Sequence, residues 1–383
     1  MKTLLKRLLC YAAAAAAVSS LTPNASAQSG IQVVDVVPNP NQPISVTRGI
    51  SPASNRAALR ASGAAATIPL WNYSILASRD GNTYQGLMVG TDPFTGAGAT
   101  TIVPSPIIPV KVILGPYTYD PTVPDPCLAA GTVQDLVTNS PIFNASDYVM
   151  NGVAVGNTQY IDAFQRSNFW ALVGGTDYHV LLQPTVQTAQ TYIPASGYVS
   201  TAVYCGGTTQ EGFIEINAFD SWVRNVALPG AGIDPTQFPI ILLQNVLMYD
   251  GVIENCCIGG YHGAWGNFQT YSPSNVDTTG FFSNAPDIAI LSHEVGEWMD
   301  DPLGNNQTPA WGNIGQVVGC QGNLEVGDPL TGTLFPPVMM SGFTYNPQEL
   351  AHFNWFFGDD TPLGSGGLDS NNGTFTSAAP ACP

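Results

Sequence analysis

The C-terminal part of the chain is acidic and contains no lysine or arginine. Residues 225–383 include fifteen aspartates and glutamates, and histidine is the only other side chain there that can carry a positive charge. Positive charge beside a carboxylate in this part must therefore come from a proton, a histidine, a basic residue from earlier in the chain or a metal ion. This requirement restricts how the acidic stretch LSHEVGEWMDDP, residues 291–302, can fold.

The spacing of residues 291–302 predicts a helix with two different faces. At 100° per residue, His293 and Glu297 point the same way, Asp300 lies close to them, and Glu294 is turned aside. The opposite arc is apolar and consists of Ile288, Leu291, Val295, Trp298 and Met299.

The flanking residues give the bounds of this predicted helix. Asn284 is a candidate N-cap, Pro286 fits the first turn with Asp287 close behind, and the helix should end before Pro302.

The acids of this helix occupy an unfavourable place. They lie in its C-terminal half, where the helix dipole is already negative, and Glu297 faces Asp300 and Asp301 at repulsive spacings. Together these conflicts cost about 1–2 kcal/mol.

One interpretation of this helix is a solvated acidic face on a surface helix. The other is a divalent cation held by His293 and Glu297, with Glu294 beside it, as in H-E-x-x-H sites with a carboxylate replacing the second histidine.

Two motifs resemble a known family. SHEVGEWMDDP, followed by LEVGD, is similar to a signature of exported bacterial proteins and of the plant phosphate-induced/EXORDIUM proteins, which read approximately SHELAEAxTDP and EIGDxC. The upstream stretch CCIGGYHG resembles the Cys-Gly-Phe/Tyr-His element of that family through Cys257, Gly260, Tyr261 and His262. The likeness covers residues 251–330.

The resemblance implies export and a shared site. Glu325 and Asp328 match the acids of the second family motif, whereas the cysteine that follows it is absent here. The resemblance implies that Cys320, just upstream, replaces that cysteine in the family's disulfide. Members of the family are described as secreted and cell-wall-associated.

A catalytic zinc normally has three protein ligands and one open position. With His293 and Glu297 as two ligands, Glu325 is the first choice for the third, His262 the second and Asp328 the third. The alternatives are turn carboxylates that cap backbone amides, for the two acids, and a packed histidine in a loop, for His262.

Other parts of the chain give weaker indications of chemistry. His352, in ELAHFNWFF, is interpreted as a core histidine, and His179 receives no role. DDPLGNNQ and GDDTPLGSGGLDSNNG are rich in calcium-type oxygen ligands but lack EF-hand spacing, so they are predicted to be surface turns. No Gly-x-Ser-x-Gly motif supports a serine triad, and no pair of acids stands out for glycoside hydrolysis.

The N-terminus predicts export. Lys2, Lys6 and Arg7 precede an apolar alanine-rich run that ends in small residues at 25–27, the layout of a signal peptide covering residues 1–27. The remaining chain has 7 basic and 27 acidic residues, a net charge of −20, which disfavours nucleic acid and anionic membranes as partners.

Six cysteines remain after the predicted signal peptide: Cys127, Cys205, Cys256, Cys257, Cys320 and Cys382. In an exported chain they suggest disulfides of unknown pairing, and free buried thiols are the alternative.

The predicted fold class is α+β, rich in strands and with a zincin-like helix in the C-terminal half. Residues 28–67 are expected to form an extended arm, and residues 68–383 one large domain with a possible subdivision near 210–225. The stretches IPLWNYSILA, IVPSPIIPVKVIL, DYHVLLQPTVQTAQTYI and FPIILLQNVLMY predict strands, whereas TQYIDAFQRSNFW and AFDSWVRNVAL predict helices.

These observations lead to one hypothesis and one rival. The hypothesis is a secreted metallopeptidase with zinc (alternatively calcium) on His293, Glu297 and Glu325, in which Glu294 is the general base and His262 or Tyr261 steadies the oxyanion. The expected substrate is an extracellular peptide, protein or cell-wall component. The rival is a non-enzymatic EXORDIUM-like protein with a structural ion, which Glu325 and Asp328 both closing on His293 would favour.

Overall fold

The computed structural model describes residues 30–36, 43–50, 67–95, 98–205 and 209–382. The predicted signal peptide lies outside these residues. The fold is α+β, as predicted, with two mixed sheets, four two-stranded hairpins and short helices.

The larger sheet is built around one long strand, which contains the predicted strand IVPSPIIPVKVIL. In sheet order its main path runs β15-β16-β12-β4-β5, and β8 and β9 also pair with β4. The strands of this sheet are β4 (Thr100–Leu114), β5 (Tyr117–Tyr119), β8 (His179–Val186), β9 (Gln190–Tyr192), β12 (Ile240–Gln244), β15 (Gly263–Trp265) and β16 (Gln269–Val276). β12 is parallel to both β4 and β16 and is buried along its whole length, which explains its continuous apolar sequence.

The second sheet shows that part of the expected arm is packed. Its order is β1-β10-β11-β13-β14, and β1 lies in the segment predicted to be an extended arm. That strand pairs in parallel with β10. The strands are β1 (Gly30–Val34), β10 (Ser196–Ser200), β11 (Gly212–Glu215), β13 (Val246–Tyr249) and β14 (Cys256–Ile258). The expected single domain from residue 68 stays a prediction.

The hairpins and helices complete the fold. The hairpins are β2 (Leu70–Leu76) with β3 (Thr83–Val89), β6 (Ser146–Met150) with β7 (Val153–Thr158), β17 (Gln307–Ile314) with β18 (Val317–Asn323), and β19 (Val338–Met340) with β20 (Phe343–Tyr345). The α-helices are α1 (Val133–Thr138), α2 (Tyr160–Asn168), α3 (Trp170–Val173), α4 (Ile216–Trp222), α5 (Leu228–Gly230), α6 (Ala289–Asp300) and α7 (Phe353–Phe357). A π-helix, Val223–Ala227, continues α4, and both predicted helices are present.

Helix α6, the site helix, begins later than predicted and ends where expected. Its first residue is Ala289, and Asn284 does not cap it. Asp287 has a φ of 42°, outside the helical range, and its carboxylate accepts a hydrogen bond from the Ile288 amide. The helix ends at Asp300, before Pro302.

Both faces of the site helix are buried. Its apolar arc lies in the largest hydrophobic cluster, where Trp298 stacks on Phe238 with ring centroids 3.6 Å apart. The acidic arc is buried as well, since its side chains contact His262, Asp328 and Ser45. The alternative of a solvated acidic face is therefore excluded.

The six cysteines form three disulfides, which are compatible with an oxidising extracellular environment. Cys127 pairs with Cys205, Cys256 with Cys257, and Cys320 with Cys382. No helix in the described part of the chain is long and apolar enough to cross a membrane.

Candidate metal centre

The site helix supplies the centre of a buried cluster of histidines and acids. Two groups of side chains could each hold a metal ion, and both include Glu297. One group is His293, Glu297 and Asp328, and the other is His262, Glu297 and Glu325. His293 and Glu297 meet because they are four residues apart on one helix. His262 comes from the connection between β14 and β15, and Glu325 and Asp328 both come from the segment that follows β18.

His293 presents its Nε2 atom to the cluster. This nitrogen lies 2.9 Å from Glu297 Oε1 and 3.5 Å from Asp328 Oδ1. On the other side of the ring, Nδ1 lies 3.0 Å from Gln348 Oε1, while Gln348 Nε2 donates to the Gly327 carbonyl. The amide of Gln348 is thereby oriented so that Oε1 accepts a proton from Nδ1. Nε2 then keeps its lone pair for a ligand.

His262 presents its Nδ1 atom to the same cluster by the same logic. Its Nε2 lies 3.1 Å from the Asp301 carbonyl, an acceptor, and so must carry the hydrogen. Nδ1 lies 3.4 Å from Glu297 Oε2 and 3.6 Å from Glu294 Oε2, and it has no hydrogen-bond partner. In its neutral form, each histidine therefore turns a lone pair toward Glu297.

Several buried oxygens of the cluster have no hydrogen-bond donor. Both carboxylate oxygens of Glu294 and the Oε2 atom of Glu325 are buried without one. The other oxygen of Glu325 accepts from Asn323 Nδ2 at 2.6 Å and from the Thr47 hydroxyl. Buried polar atoms without partners are rare in proteins, and an absent ion is one of the standard reasons for them.

The ion-free cluster is electrostatically strained. Burial raises the pKa of Glu294 to about 8, although both nearby histidines favour its charged form. Burial, with Glu297 and Asp328, raises the pKa of Glu325 well above its ordinary value. Burial would lower the pKa of His262, but Glu294 and Glu297 outweigh it and raise that pKa to about 10. A divalent cation would compete with protons for these groups.

Basic side chains do not relieve this strain within the described ranges. There, lysine and arginine form ion pairs only with Asp120 and Asp220, which are outside the cluster. With two free nitrogen lone pairs, buried acids and orphaned oxygens, the residues fit a divalent cation.

An extended segment, residues 43–50, lies across the cluster, and we call it the strap. It runs parallel to residues 259–264, with the Arg48 amide donating to the His262 carbonyl at 3.0 Å. The Ser45 hydroxyl lies 2.7 Å from His293 Nε2, 3.3 Å from Asp328 Oδ1 and 3.5 Å from Glu297 Oε2.

The structure brings the predicted ligands together, but it groups them differently from the order of preference that the sequence suggested. Asp328, the third choice, lies with His293, whereas Glu325, the first choice, lies with His262. His262 therefore belongs to a candidate ligand group, although it was also predicted to steady an oxyanion. The Tyr261 hydroxyl donates to Asp220 Oδ1 at 3.0 Å and is not available for that role.

Other predicted features lie outside the cluster. Asp300 accepts hydrogen bonds from Gln165 and Asn168, and Asp301 caps the backbone amides of the following turn. His352 is fully buried and packs against Phe164, in agreement with its interpretation as a core histidine. His179 lies 2.7 Å from Asp162, at the edge of β8.

Sequence reasoning missed the neutral residues that surround the ligands. Gln348 orients His293, Gln316 donates to Asp328 Oδ1, and Ser45 and Thr47 approach from the strap. These contacts join residues far apart in sequence, 248 positions for Ser45 and His293, and no spacing pattern signals them.

Comparisons with protein-family models, with curated proteins and with solved structures found no match to this chain.

Proposed function

We propose that this chain is a secreted metal-dependent hydrolase acting on peptides or proteins outside the cytoplasm. The leader-like N-terminus and the three disulfides support export. Two histidines among the ligands favour zinc over calcium, because calcium prefers ligand sets made only of oxygen.

One observation carries the proposal of catalysis: Glu294 is a buried carboxylate beside both ligand groups and belongs to neither. Its two oxygens have no hydrogen-bond donor, and its pKa is raised by burial to about 8. A structural acid would be expected to have hydrogen-bond partners. An acid without them, placed beside both ligand groups, suits general acid–base catalysis.

The proposed reaction assigns proton transfer to Glu294. When bound, a divalent ion supplies Lewis acidity that polarises a carbonyl and acidifies water. Glu294 takes a proton from water as the water oxygen bonds to the peptide carbonyl carbon. It returns that proton to the nitrogen as the C–N bond breaks. His262, His293, Glu297, Glu325 and Asp328 would hold the metal, and Gln348 keeps His293 in its ligand tautomer.

The test is Glu294→Gln, assayed on denatured casein and a mixed fluorogenic peptide library. The variant should lose hydrolysis by about 100-fold or more, the usual size of general-base effects, while elemental analysis shows unchanged metal content. Glu349→Gln, another buried glutamate, serves as the control and should keep activity. Full activity in Glu294→Gln, or no chelator-sensitive hydrolysis either in the wild type or in a variant with a loosened strap, would contradict the proposal.

A second candidate is a non-enzymatic protein of EXORDIUM type with a structural ion. Complete burial of the ligands and closure by the strap favour it, since structural sites fill their coordination positions with protein groups. In that case chelation should lower the melting temperature, and metal-loaded protein should hydrolyse no peptide.

A further inference from the structure

The two ligand groups share Glu297, and each group faces a different oxygen of its carboxylate. Oε1 lies 2.9 Å from His293 Nε2, and Oε2 lies 3.4 Å from His262 Nδ1. Each oxygen therefore faces a different histidine, and each histidine has its own second acid, Asp328 or Glu325.

We infer that the centre binds two divalent cations with Glu297 as the bridging ligand. His293 and Asp328 complete one position, and His262 and Glu325 complete the other. This inference rests on the proposed metal site and goes beyond the single ion expected from the helix motif.

Charge balance supports two ions. With neutral histidines, the buried carboxylates of Glu294, Glu297, Glu325 and Asp328 carry four negative charges. One divalent ion offsets half of them, whereas two offset all four. One ion at the His293 position would also leave His262 Nδ1 and Glu325 Oε2 buried without partners.

The metal content of the purified protein tests the two-ion inference. Purified wild-type protein, never exposed to chelator, should hold two divalent ions per chain by elemental analysis and by native mass spectrometry. Asp328→Asn and Glu325→Gln should each lose one ion, and Glu297→Gln should lose both. Glu349→Gln, whose carboxylate lies in another buried site, should retain two.

Circular dichroism verifies that each variant is folded. Should the variants fail to fold, chelator-treated wild type is titrated with zinc alone, and saturation at two equivalents is expected. One equivalent in both measurements overturns the two-ion inference and leaves the proposed hydrolase intact. No bound ion overturns both.

A different observation concerns the strap. Its residues alternate in direction, as in a β-strand, so Ser45 and Thr47 face the same side. The Ser45 hydroxyl contacts all three members of the His293 group, and the Thr47 hydroxyl contacts Glu325 in the other group. The strap thus places one hydroxyl against each ligand group.

The backbone holds the strap closely in place. The Ile44 carbonyl accepts from the amides of Gly259 and Gly260 at 2.6 and 2.8 Å. Gly263 permits the approach, since a Cβ atom there would collide with the Arg48 carbonyl. The Arg48 side chain donates to Asn217 on α4 and lies over the Tyr261 ring.

We propose that the strap is an inhibitory segment that closes the metal centre of the proposed hydrolase. A peptide strand lying where the strap lies would pass both ligand groups in extended form. The strap therefore occupies the path of a peptide substrate, and the active form requires its displacement.

The test compares three variants. Ser45→Ala with Thr47→Ala removes both hydroxyls, and Arg48→Ala loosens one anchor without touching a ligand. In each variant, a chelator should remove the bound metal about tenfold faster, which corresponds to a loss of roughly 1.4 kcal/mol in the stabilisation of the closed strap. Each variant should also hydrolyse peptides faster. Thr118→Ala, an exposed hydroxyl on β5, is the control and should change neither rate.

Metal release decides the strap proposal even without hydrolysis. Faster release with no hydrolysis in any variant supports closure by the strap and overturns the hydrolase. Unchanged release in both strap variants overturns closure, whatever the activity. Melting curves identify a variant that is globally unfolded, and Arg48→Lys, which keeps the charge, should behave more like wild type.

Discussion

Glu294 and Glu349 are both fully buried glutamates, yet their surroundings differ. The Glu349 carboxylate accepts from the Ser370 hydroxyl at 2.6 Å, from the Thr374 hydroxyl at 2.6 Å and from the backbone amides of Asn372 and Thr374. The Glu294 carboxylate has no donor, and its Oε2 atom lies 3.6 Å from His262 Nδ1.

The difference separates a structural acid from a candidate functional one. Glu349 fixes the loop at residues 370–374 by hydrogen bonds, and neutral donors satisfy its charge. The cluster around Glu297 lacks enough donors for its acids, so it needs protons or cations from outside. Amino-acid composition alone does not distinguish between these two kinds of acid.

The largest expected effect is metal removal, which should destabilise the cluster region and leave the Glu349 region unchanged. If ions are present at about 1,000 times their dissociation constant, chelation should lower the free energy of unfolding by about 4 kcal/mol. Urea unfolding with and without chelator measures the difference. The same decrease is expected in Glu349→Gln, and an unchanged urea midpoint in the wild type would contradict an ion in the cluster.

The second prediction concerns pH and the buried His352 near the Glu349 loop. Burial lowers the pKa of His352 to about 4, with a partial opposing effect from the Leu368 carbonyl. Only the unfolded chain then takes up this proton between about pH 6.5 and 4, so stability falls as pH falls through that window. His352→Gln should remove about 3 kcal/mol of this pH dependence. Equal pH dependence of urea unfolding in both proteins would disprove the assignment.

A third prediction tests the packing around His293. A Cβ atom on Gly327 would lie 2.6 Å from His293 Cγ, so Gly327→Ala must displace the imidazole. We expect a loss of about 2–3 kcal/mol of stability and metal binding weaker by about 10–100-fold. Gly322→Ala is the control, since its Cβ would meet only the Thr308 carbonyl at 3.4 Å. Competition with a zinc-sensitive dye reports the affinities, and equal affinities would contradict the packing argument.

The smallest effect is expected from Glu349→Gln. The amide group cannot accept all the donors of the loop, so unfolding should become easier by about 1–2 kcal/mol. Metal content should stay unchanged, because Glu349 belongs to neither ligand group. Loss of metal in this variant would remove the distinction between the two buried acidic regions.

Local periodicity was enough to predict part of the molecule. His293 and Glu297 lie four residues apart, and the geometry of an α-helix alone brings them together. The apolar arc of the same helix likewise follows from a period of 3.6 residues. The absence of basic residues after position 224 already indicated that buried acids would need another partner.

Tertiary structure alone decided how the remaining groups meet. The assignment of Asp328 to His293 and Glu325 to His262, the pairing of the cysteines and the strap across the cluster all join distant residues. Such contacts depend on how loops close over the packed sheets, and no local period encodes them. The burial of the acidic helix face has the same origin, because the strap and the segments that carry His262 and Asp328 cover a surface that composition alone would have assigned to solvent.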